Sequence, residues 1–221
     1  MTWVKICGTT NLEDALVAVE AGADAIGFVF YEKSPRNVSV EAAGAIAKGL
    51  PKGVEKVGVF VNEEEDTICS MVDRSGITAI QMHGDNEDPH VADLVARRRP
   101  GLKILAAISM SHPNPGGWAM MWAPELIHAF LADSGTDSKH GGTGRAFDWS
   151  KSSPVLREIE RVGRVVVAGG LTPDNVAEAI EVLQPWGVDV ASGVESKPGK
   201  KDPDKVRAFV KAVRGVDRKT S

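Results

Sequence analysis

Short apolar segments alternate with amphipathic segments along almost the whole chain of 221 residues. Several of the apolar segments are near-continuous hydrophobic runs, which is typical of parallel strands buried on both faces. The predicted strands comprise residues 4–7, 25–30, 56–61, 79–83, 103–108, 129–132, 164–168 and 188–191. Eight strands, each followed by a helix, predict an α/β fold built as a single (β/α)8 TIM barrel.

The main alternative is an open, doubly wound sheet with helices on both faces. It is disfavoured because no Gly-x-Gly-x-x-Gly motif follows the first strand. The composition does not shift along the chain, so we expect one barrel domain over residues 1–216. The last helix is predicted to end near Val213, and residues 217–221 are expected to form a frayed tail.

Polar residues before the amphipathic segments predict where the helices begin. Asn11, Ser39, Asn62 and Asp148 are placed as N-caps, whose side chains satisfy the first free backbone N–H groups of a helix. Pro173 follows the seventh strand and is placed at the first position of the seventh helix.

Charge and composition exclude several classes of protein. The net charge is -4, and the only cationic run, residues 97–99, ends a predicted helix, so we expect no nucleic-acid partner. No apolar run is long enough to cross a membrane, and the N-terminus lacks the apolar core of a signal peptide, so we expect a cytoplasmic protein. The two cysteines lie in unlike contexts and the histidines are scattered, which predicts neither a disulfide nor a metal site.

The active site of such a barrel lies at the carboxyl ends of its strands. Cys7 ends the first predicted strand, and its thiol is either a small buried hydrophobe or a reactive group. Lys5 shares its strand face, and a nearby cation lowers the pKa of a thiol, which favours a general base. A buried Lys5 needs a partner, and Asp189 on the neighbouring last strand is the candidate, either as a structural ion pair or as part of the site.

Two glycine sites follow the last two strands. Gly169-Gly170 ends the seventh strand and Ser192-Gly193 ends the eighth. Loops after these strands often bind phosphate, because backbone N–H groups can approach an anion where side chains are absent. Each pair alone is equally consistent with a tight turn, but the two together favour a phosphate site.

Three further polar residues lie at or after strand ends. Asp133 follows the sixth strand and is either an acid or a loop cap, and Asp137 in the same loop competes with it. Arg36 follows the second strand; it is either a surface arginine or a bidentate clamp for a carboxylate. His83 ends the fourth strand and is either a ligand-binding group or a satisfied core residue.

The βα units carry a series of distinctive motifs in chain order. The motifs are Lys5-Ile6-Cys7-Gly8, Gly27-Phe28-Val29-Phe30, Ser34-Pro35-Arg36, Val57-Gly58-Val59-Phe60-Val61-Asn62, Gln81-Met82-His83-Gly84, Gly141-Gly142-Thr143-Gly144, Phe147-Asp148-Trp149, Ala168-Gly169-Gly170-Leu171, Asn175-Val176, Val188-Asp189-Val190-Ala191-Ser192-Gly193-Val194-Glu195 and Pro198-Gly199-Lys200-Lys201-Asp202. Together they resemble the phosphoribosylanthranilate isomerase family of tryptophan biosynthesis. The match departs slightly at strand six, which reads Leu131-Ala132-Asp133, and it is poor over residues 109–128.

The resemblance implies an Amadori rearrangement, in which an aminoaldose becomes an aminoketose through general acid and base catalysis. It implies that Cys7 is the base, that Asp133 is the acid, and that Arg36 binds the anthranilate carboxylate. The phosphate is implied to bind backbone amides at Gly169-Gly170 and Ser192-Gly193.

The resemblance further implies substrate-binding roles for His83, Asp189, Gly142 and Thr143. No cofactor or metal is implied, and the only implied partner is the small-molecule substrate phosphoribosylanthranilate, with the protein a monomer or a homodimer. Two other functions stay open from the residues: an epimerase acting on a ribulose phosphate, and a phosphometabolite-binding module that has lost catalysis. The epimerase is disfavoured because the spacing of metal-binding histidines is missing.

Overall fold

The fold was analysed in a computed structural model, which describes residues 1–84, 88–135 and 148–220. Eight parallel strands close into a barrel in strict chain order, which confirms the predicted fold class. They are β1 (Trp3–Ile6), β2 (Ala25–Val29), β3 (Glu55–Val61), β4 (Ala79–His83), β5 (Lys103–Ser109), β6 (Ile127–Asp133), β7 (Val165–Val167) and β8 (Gly187–Val190).

Helices connect the strands and surround the barrel. They are α1 (Leu12–Ala21), α2 (Val40–Gly49), α3 (Glu65–Ser75), α4 (Pro89–Arg98), α5 (Pro115–Ala119), α6 (Trp149–Glu160), α7 (Val176–Leu183) and α8 (Pro203–Thr220). Between β8 and α8 the chain forms a 3-10 turn, Ser192–Val194, and a short antiparallel hairpin, β9 (Glu195–Lys197) and β10 (Lys200–Lys201). Within the described residues, no helix combines the length and apolar character that crossing a membrane requires.

Local side-chain chemistry explains most helix starts. The side chain of Asn11 accepts a hydrogen bond from the backbone N–H of Asp14, and Ser39 and Asp148 cap α2 and α6 in the same way. The predicted cap at Asn62 is wrong, because Asn62 has a left-handed φ of 51° and α3 begins at Glu65, three residues later, with Glu64 in the N-cap position.

The predicted start of the seventh helix at Pro173 is also wrong. The side chain of Asn175 accepts a hydrogen bond from the backbone N–H of Thr172 and donates one to the carbonyl of Gly170. These bonds hold the chain in a turn, so α7 begins only at Val176.

The apolar core has two layers. Small and branched side chains of alternate strand residues fill the barrel interior, and a larger cluster lies between the barrel and the helices. Trp3 stacks on Trp186 at the amino end of the barrel, with 5.2 Å between ring centroids. The stacked rings pack against the apolar side chains that fill the barrel interior.

The C-terminal segment differs from the prediction. The last helix does not end near Val213, and residues 217–220 continue α8 instead of fraying. The carboxylate of Asp217 accepts hydrogen bonds from the backbone N–H and hydroxyl of Thr2, at 2.9 and 2.8 Å, and one from Arg214 at 3.2 Å. These bonds connect the last helix to the first strand and hold the segment in place.

Replacing Asp217 with alanine is expected to destabilise the fold by about 2 kcal/mol, because hydrogen bonds to a charged group are removed. Urea unfolding of the Asp217→Ala variant measures this loss. The exposed Lys211 of the same helix is the control, and Lys211→Ala is expected to change stability by less than about 0.5 kcal/mol. Equal effects of the two changes would show that the Asp217 contacts do not stabilise the fold.

Candidate active site

The residues predicted at strand ends lie together at the carboxyl end of the barrel. Cys7 follows β1 directly, and its backbone N–H donates to the carbonyl of Val190 at 2.8 Å, which continues the pairing with β8. His83 and Asp133 are the last residues of β4 and β6. The thiol of Cys7 and the carboxyl of Asp133 are largely buried, with 7% and 9% of each residue exposed.

Two glycines make room around Cys7. A Cβ atom at Gly27 would lie 2.8 Å from the sulfur of Cys7, closer than real Cβ contacts allow. A Cβ atom at Gly8, which has a φ of +71°, would lie 2.5 Å from Cδ of Arg36. The thiol therefore packs on β2, and the stem of Arg36 crosses the residue that follows the thiol.

Lys5 and Asp189 form a buried ion pair. The two residues are register partners across the β1–β8 junction, and the ammonium of Lys5 donates to the Asp189 carboxylate at 2.9 Å. Lys5 is fully buried. The predicted contact is confirmed, and Asp189 supplies the counter-charge that a buried ammonium requires.

Lys5 lowers the pKa of the Cys7 thiol, as predicted, but it does not decide the direction of the net shift. Burial raises the pKa of the Cys7 thiol, and this effect outweighs the lowering by Lys5, while Asp189 raises it further. The expectation of a net lowered thiol pKa was therefore wrong, because burial disfavours the thiolate more than the Lys5 ammonium favours it.

Asp133 lies where the loop after β7 approaches β6. Its carboxylate accepts a hydrogen bond from the Ser134 hydroxyl at 3.2 Å. A Cβ atom at Gly169 would lie 2.7 Å from the same carboxylate, so only glycine fits there. Asp137, the competing acid, lies outside the described residues, as do Gly142 and Thr143.

The loops after β7 and β8 enclose a cavity. Asp133, Asp189 and the glycine-containing stretches 168–171 and 190–193 line a space of about 50 Å³. Gly169 and Gly170 have φ values of 79° and 67°, and a side chain at Gly193 would overlap the carbonyl oxygen of Leu171. The two glycine sites predicted to act together thus lie side by side, with their backbones exposed to one cavity.

Arg36 is held by a residue for which the sequence reasoning assigned no role. Its Nε and Nη2 atoms donate to the two carboxylate oxygens of Glu195 at 2.9 and 2.7 Å. Only 13% of the Arg36 side chain is exposed, so a free surface arginine is excluded. Burial opposes ionisation of Glu195, but Arg36 and Lys201 outweigh it and lower its pKa.

Lys201 is the second residue that sequence reasoning missed. Its buried ammonium donates to the carbonyls of Cys7 and Ala191 at 2.6 and 3.1 Å, and to Glu195 at 3.1 Å. The lysine thus connects the ends of β1 and β8 with the residue that holds Arg36. Glu195 and Lys201 both lie in motifs that follow the last strand, but those motifs do not indicate their partners. In the described ranges, no group of three His, Cys, Asp or Glu residues is arranged to hold a metal ion.

A family model for N-(5'-phosphoribosyl)anthranilate isomerase matches residues 4–212 of the chain. The chain belongs to the phosphoribosylanthranilate isomerase family. A relative named N-(5'-phosphoribosyl)anthranilate isomerase, from Citrifermentans bemidjiense, is 46% identical over 211 residues, covering 95% of this chain and 96% of the relative. This membership decides against the ribulose-phosphate epimerase considered above.

Solved structures of phosphoribosylanthranilate isomerases share the fold. Monomers generated from the dimeric enzyme of Thermotoga maritima superimpose with a TM-score of 0.83 at 41% identity, covering 97% of this chain and 100% of that one. Another phosphoribosylanthranilate isomerase structure, with a TM-score of 0.83, 40% identity and the same coverage, contains reduced 1-(o-carboxyphenylamino)-1-deoxyribulose 5-phosphate.

In this member of the phosphoribosylanthranilate isomerase family, the Cys7 thiolate is expected to form only above the ordinary thiol pKa of about 8.5, because burial disfavours the charged form. Asp189→Asn is expected to lower that pKa, since a negative charge near the thiol is removed. Thiolate absorbance measured against pH tests both expectations. The absorbance of the Cys7→Ser variant gives the contribution of Cys69, which is subtracted. A wild-type pKa at or below the ordinary value would contradict the role given to burial.

Proposed function

We propose that this chain catalyses the reaction of its family, the conversion of phosphoribosylanthranilate to 1-(o-carboxyphenylamino)-1-deoxyribulose 5-phosphate in tryptophan biosynthesis. The observation that carries the proposal is the grouping of a buried thiol, a buried carboxyl group and a glycine-lined cavity at one barrel mouth. Membership of an aldose–ketose isomerase family supports the same reaction.

The reaction requires one proton donor and one proton acceptor. Asp133 protonates the furanose ring oxygen, the bond from that oxygen to C1′ breaks, and a Schiff base forms between C1′ and the anthranilate nitrogen. Cys7 then removes the proton from C2′, which gives an enolamine. Tautomerisation of the enolamine yields the ketone at C2′, so no atom is gained or lost.

The raised thiol pKa fits a base that works on a carbon acid. A base with a high pKa accepts a proton from carbon more readily than a weak one, provided that its ionised form is available in the complex. The Schiff base carries positive charge beside the thiol, and Lys5 and Lys201 add to it, which favours loss of the thiol proton to solvent once the ring has opened. Asp133 regains its proton from solvent at the end of the cycle.

The remaining parts of the substrate have matching partners. The cavity beside Gly169-Gly170 and Ser192-Gly193 is proposed to take the phosphate through backbone N–H groups, because the glycines of the two pairs carry no side chain that would shield them. Arg36 is proposed to bind the anthranilate carboxylate, and His83 and Asp189 to line the space between the two anionic groups. Gly142 and Thr143, outside the described residues, are proposed to contact the substrate as well.

The protein is proposed to act in the cytoplasm, as a monomer or a homodimer. The related enzyme of Thermotoga maritima is dimeric. No cofactor is proposed, since proton transfers together with the opening of the furanose ring account for all bonds that change.

Replacing Cys7 with serine is expected to lower kcat by about 100- to 10,000-fold, because a hydroxyl is a far weaker base than a thiolate. KM is expected to change little, since the lost contact acts on the transition state. The fall of phosphoribosylanthranilate fluorescence, coupled to removal of the product, measures both constants. Near-normal turnover by Cys7→Ser would remove the thiol from the mechanism, and an inactive wild-type protein would support the non-catalytic binding module instead.

The choice between Asp133 and Asp137 is decided by a matched pair of variants. Asp133→Asn is expected to reduce kcat by about 100-fold or more, because the amide cannot protonate the ring oxygen. Asp137→Asn is expected to retain most of the activity. The reverse result in the same fluorescence assay would assign the acid to Asp137.

A further inference from the structure

The guanidinium of Arg36 is divided into an occupied edge and a free edge by its contact with Glu195. A guanidinium carries five N–H donors in a planar fork. Glu195 takes the Nε–H and one Nη2–H, at 2.9 and 2.7 Å. Within the part of the chain that the structure describes, one Nη2–H and both Nη1–H donors have no partner, and they form a second edge that suits a carboxylate held through two parallel hydrogen bonds.

Glu195 is not free to leave when a substrate binds. Its side chain is 4% exposed, and besides Arg36 it accepts hydrogen bonds from Lys201 at 3.1 Å and from the backbone N–H of Gly199 at 3.2 Å. Displacing it would leave a buried ammonium without its counter-charge, at a large energetic cost. A substrate carboxylate therefore meets the free edge of Arg36 rather than replacing Glu195.

The same network reaches the residue proposed as the base. Lys201 donates to the carbonyl of Cys7 at 2.6 Å, and the stem of Arg36 passes over Gly8, directly after Cys7. The hairpin between β9 and β10 is tied to the loop after β1, because the hydroxyl of Thr10 donates to the carbonyl of Gly199 at 2.6 Å. Glu195 thus fixes Arg36 relative to the backbone that carries the thiol.

We propose that Glu195 is a positioning residue for substrate recognition, which holds the guanidinium of Arg36 so that its free edge faces the anthranilate carboxylate at a set distance from Cys7. The inference rests on the proposed function, since it assigns the carboxylate to Arg36. It adds a specificity role for Glu195, which selects a substrate that bears the carboxylate over one that lacks it.

The test compares two substrates, phosphoribosylanthranilate and the corresponding phosphoribosylaniline, which lacks the carboxylate. Glu195→Gln keeps the size of the side chain but weakens the two hydrogen bonds that Arg36 donates to it. We therefore expect kcat/KM for the carboxylated substrate to fall about tenfold, mainly because KM rises. For the aniline substrate kcat/KM is expected to change less than about twofold. In an Arg36→Met background, Glu195→Gln is expected to have no further effect on this preference.

The control is Asp73→Asn, which breaks a similar arginine–carboxylate fork with Arg99 on the outer face of α3. It is expected to leave the kinetics of both substrates unchanged. Glu195→Asp retains the charge beside Lys201 and serves where Glu195→Gln does not fold, and it too is expected to reduce the preference for the carboxylate, because a shorter side chain cannot span the fork.

Three outcomes overturn the inference. Equal losses of kcat/KM for both substrates in Glu195→Gln would make Glu195 a merely structural residue. A lower KM of this variant for phosphoribosylanthranilate would show that Glu195 competes with the substrate for Arg36. Unchanged kinetics, and so an unchanged preference for the carboxylated substrate, would give Glu195 no role. An inactive wild-type protein would instead overturn the proposed function alone. In that case the role of Glu195 is decided by calorimetric measurement of ligand binding. Anthranilate is expected to bind the wild type more tightly than Glu195→Gln, and aniline is expected to bind the two proteins equally.

Discussion

The ion pair between Lys5 and Asp189 stands at the junction where the barrel closes, and much of the site depends on it. A fully buried ammonium is strongly destabilising without a counter-charge, so the pair requires β1 and β8 to meet in one register. That register also determines where Cys7 lies, two residues further along the same face. The closure of the fold and the position of the thiol therefore depend on the same contact.

Glycines, which carry no side chain, shape the site as much as the polar side chains do. Gly27 leaves the space that the sulfur of Cys7 fills, Gly8 lets the stem of Arg36 pass, and Gly169 allows its loop to approach Asp133. At Gly193 the backbones of the loops after β7 and β8 come into direct contact. Each of these positions brings two distant segments closer than any larger residue permits, so the site is assembled by backbone approach and then completed by a few polar groups.

Properties that follow from short-range patterns could be predicted from the sequence. The alternation of apolar and amphipathic segments predicted the barrel. Strand parity placed Lys5 and Asp189 on the inner face, and closure of the barrel makes the first and last strands neighbours, so their contact could be predicted as well. Predictions that depended on competing local contacts were wrong. The side chain of Asn175 forms a turn that delays α7, and Asp217 retains the last turn of α8 through its bonds to Thr2. The direction of the Cys7 pKa shift also required the structure, since burial and the neutralising carboxylate outweigh the nearby cation.

Glu195 and Lys201 could not be placed by pattern, because their partners lie far away along the chain. The Arg36 contact joins residues 159 positions apart and the Cys7 contact joins residues 194 apart. Such contacts exist only after β8 has paired with β1 and the hairpin β9–β10 has folded back over the mouth. A substrate-binding arginine that depends on them is in position only when the barrel is closed. The geometry that supports recognition is therefore a consequence of the complete fold, and local structure around Arg36 alone would not supply it.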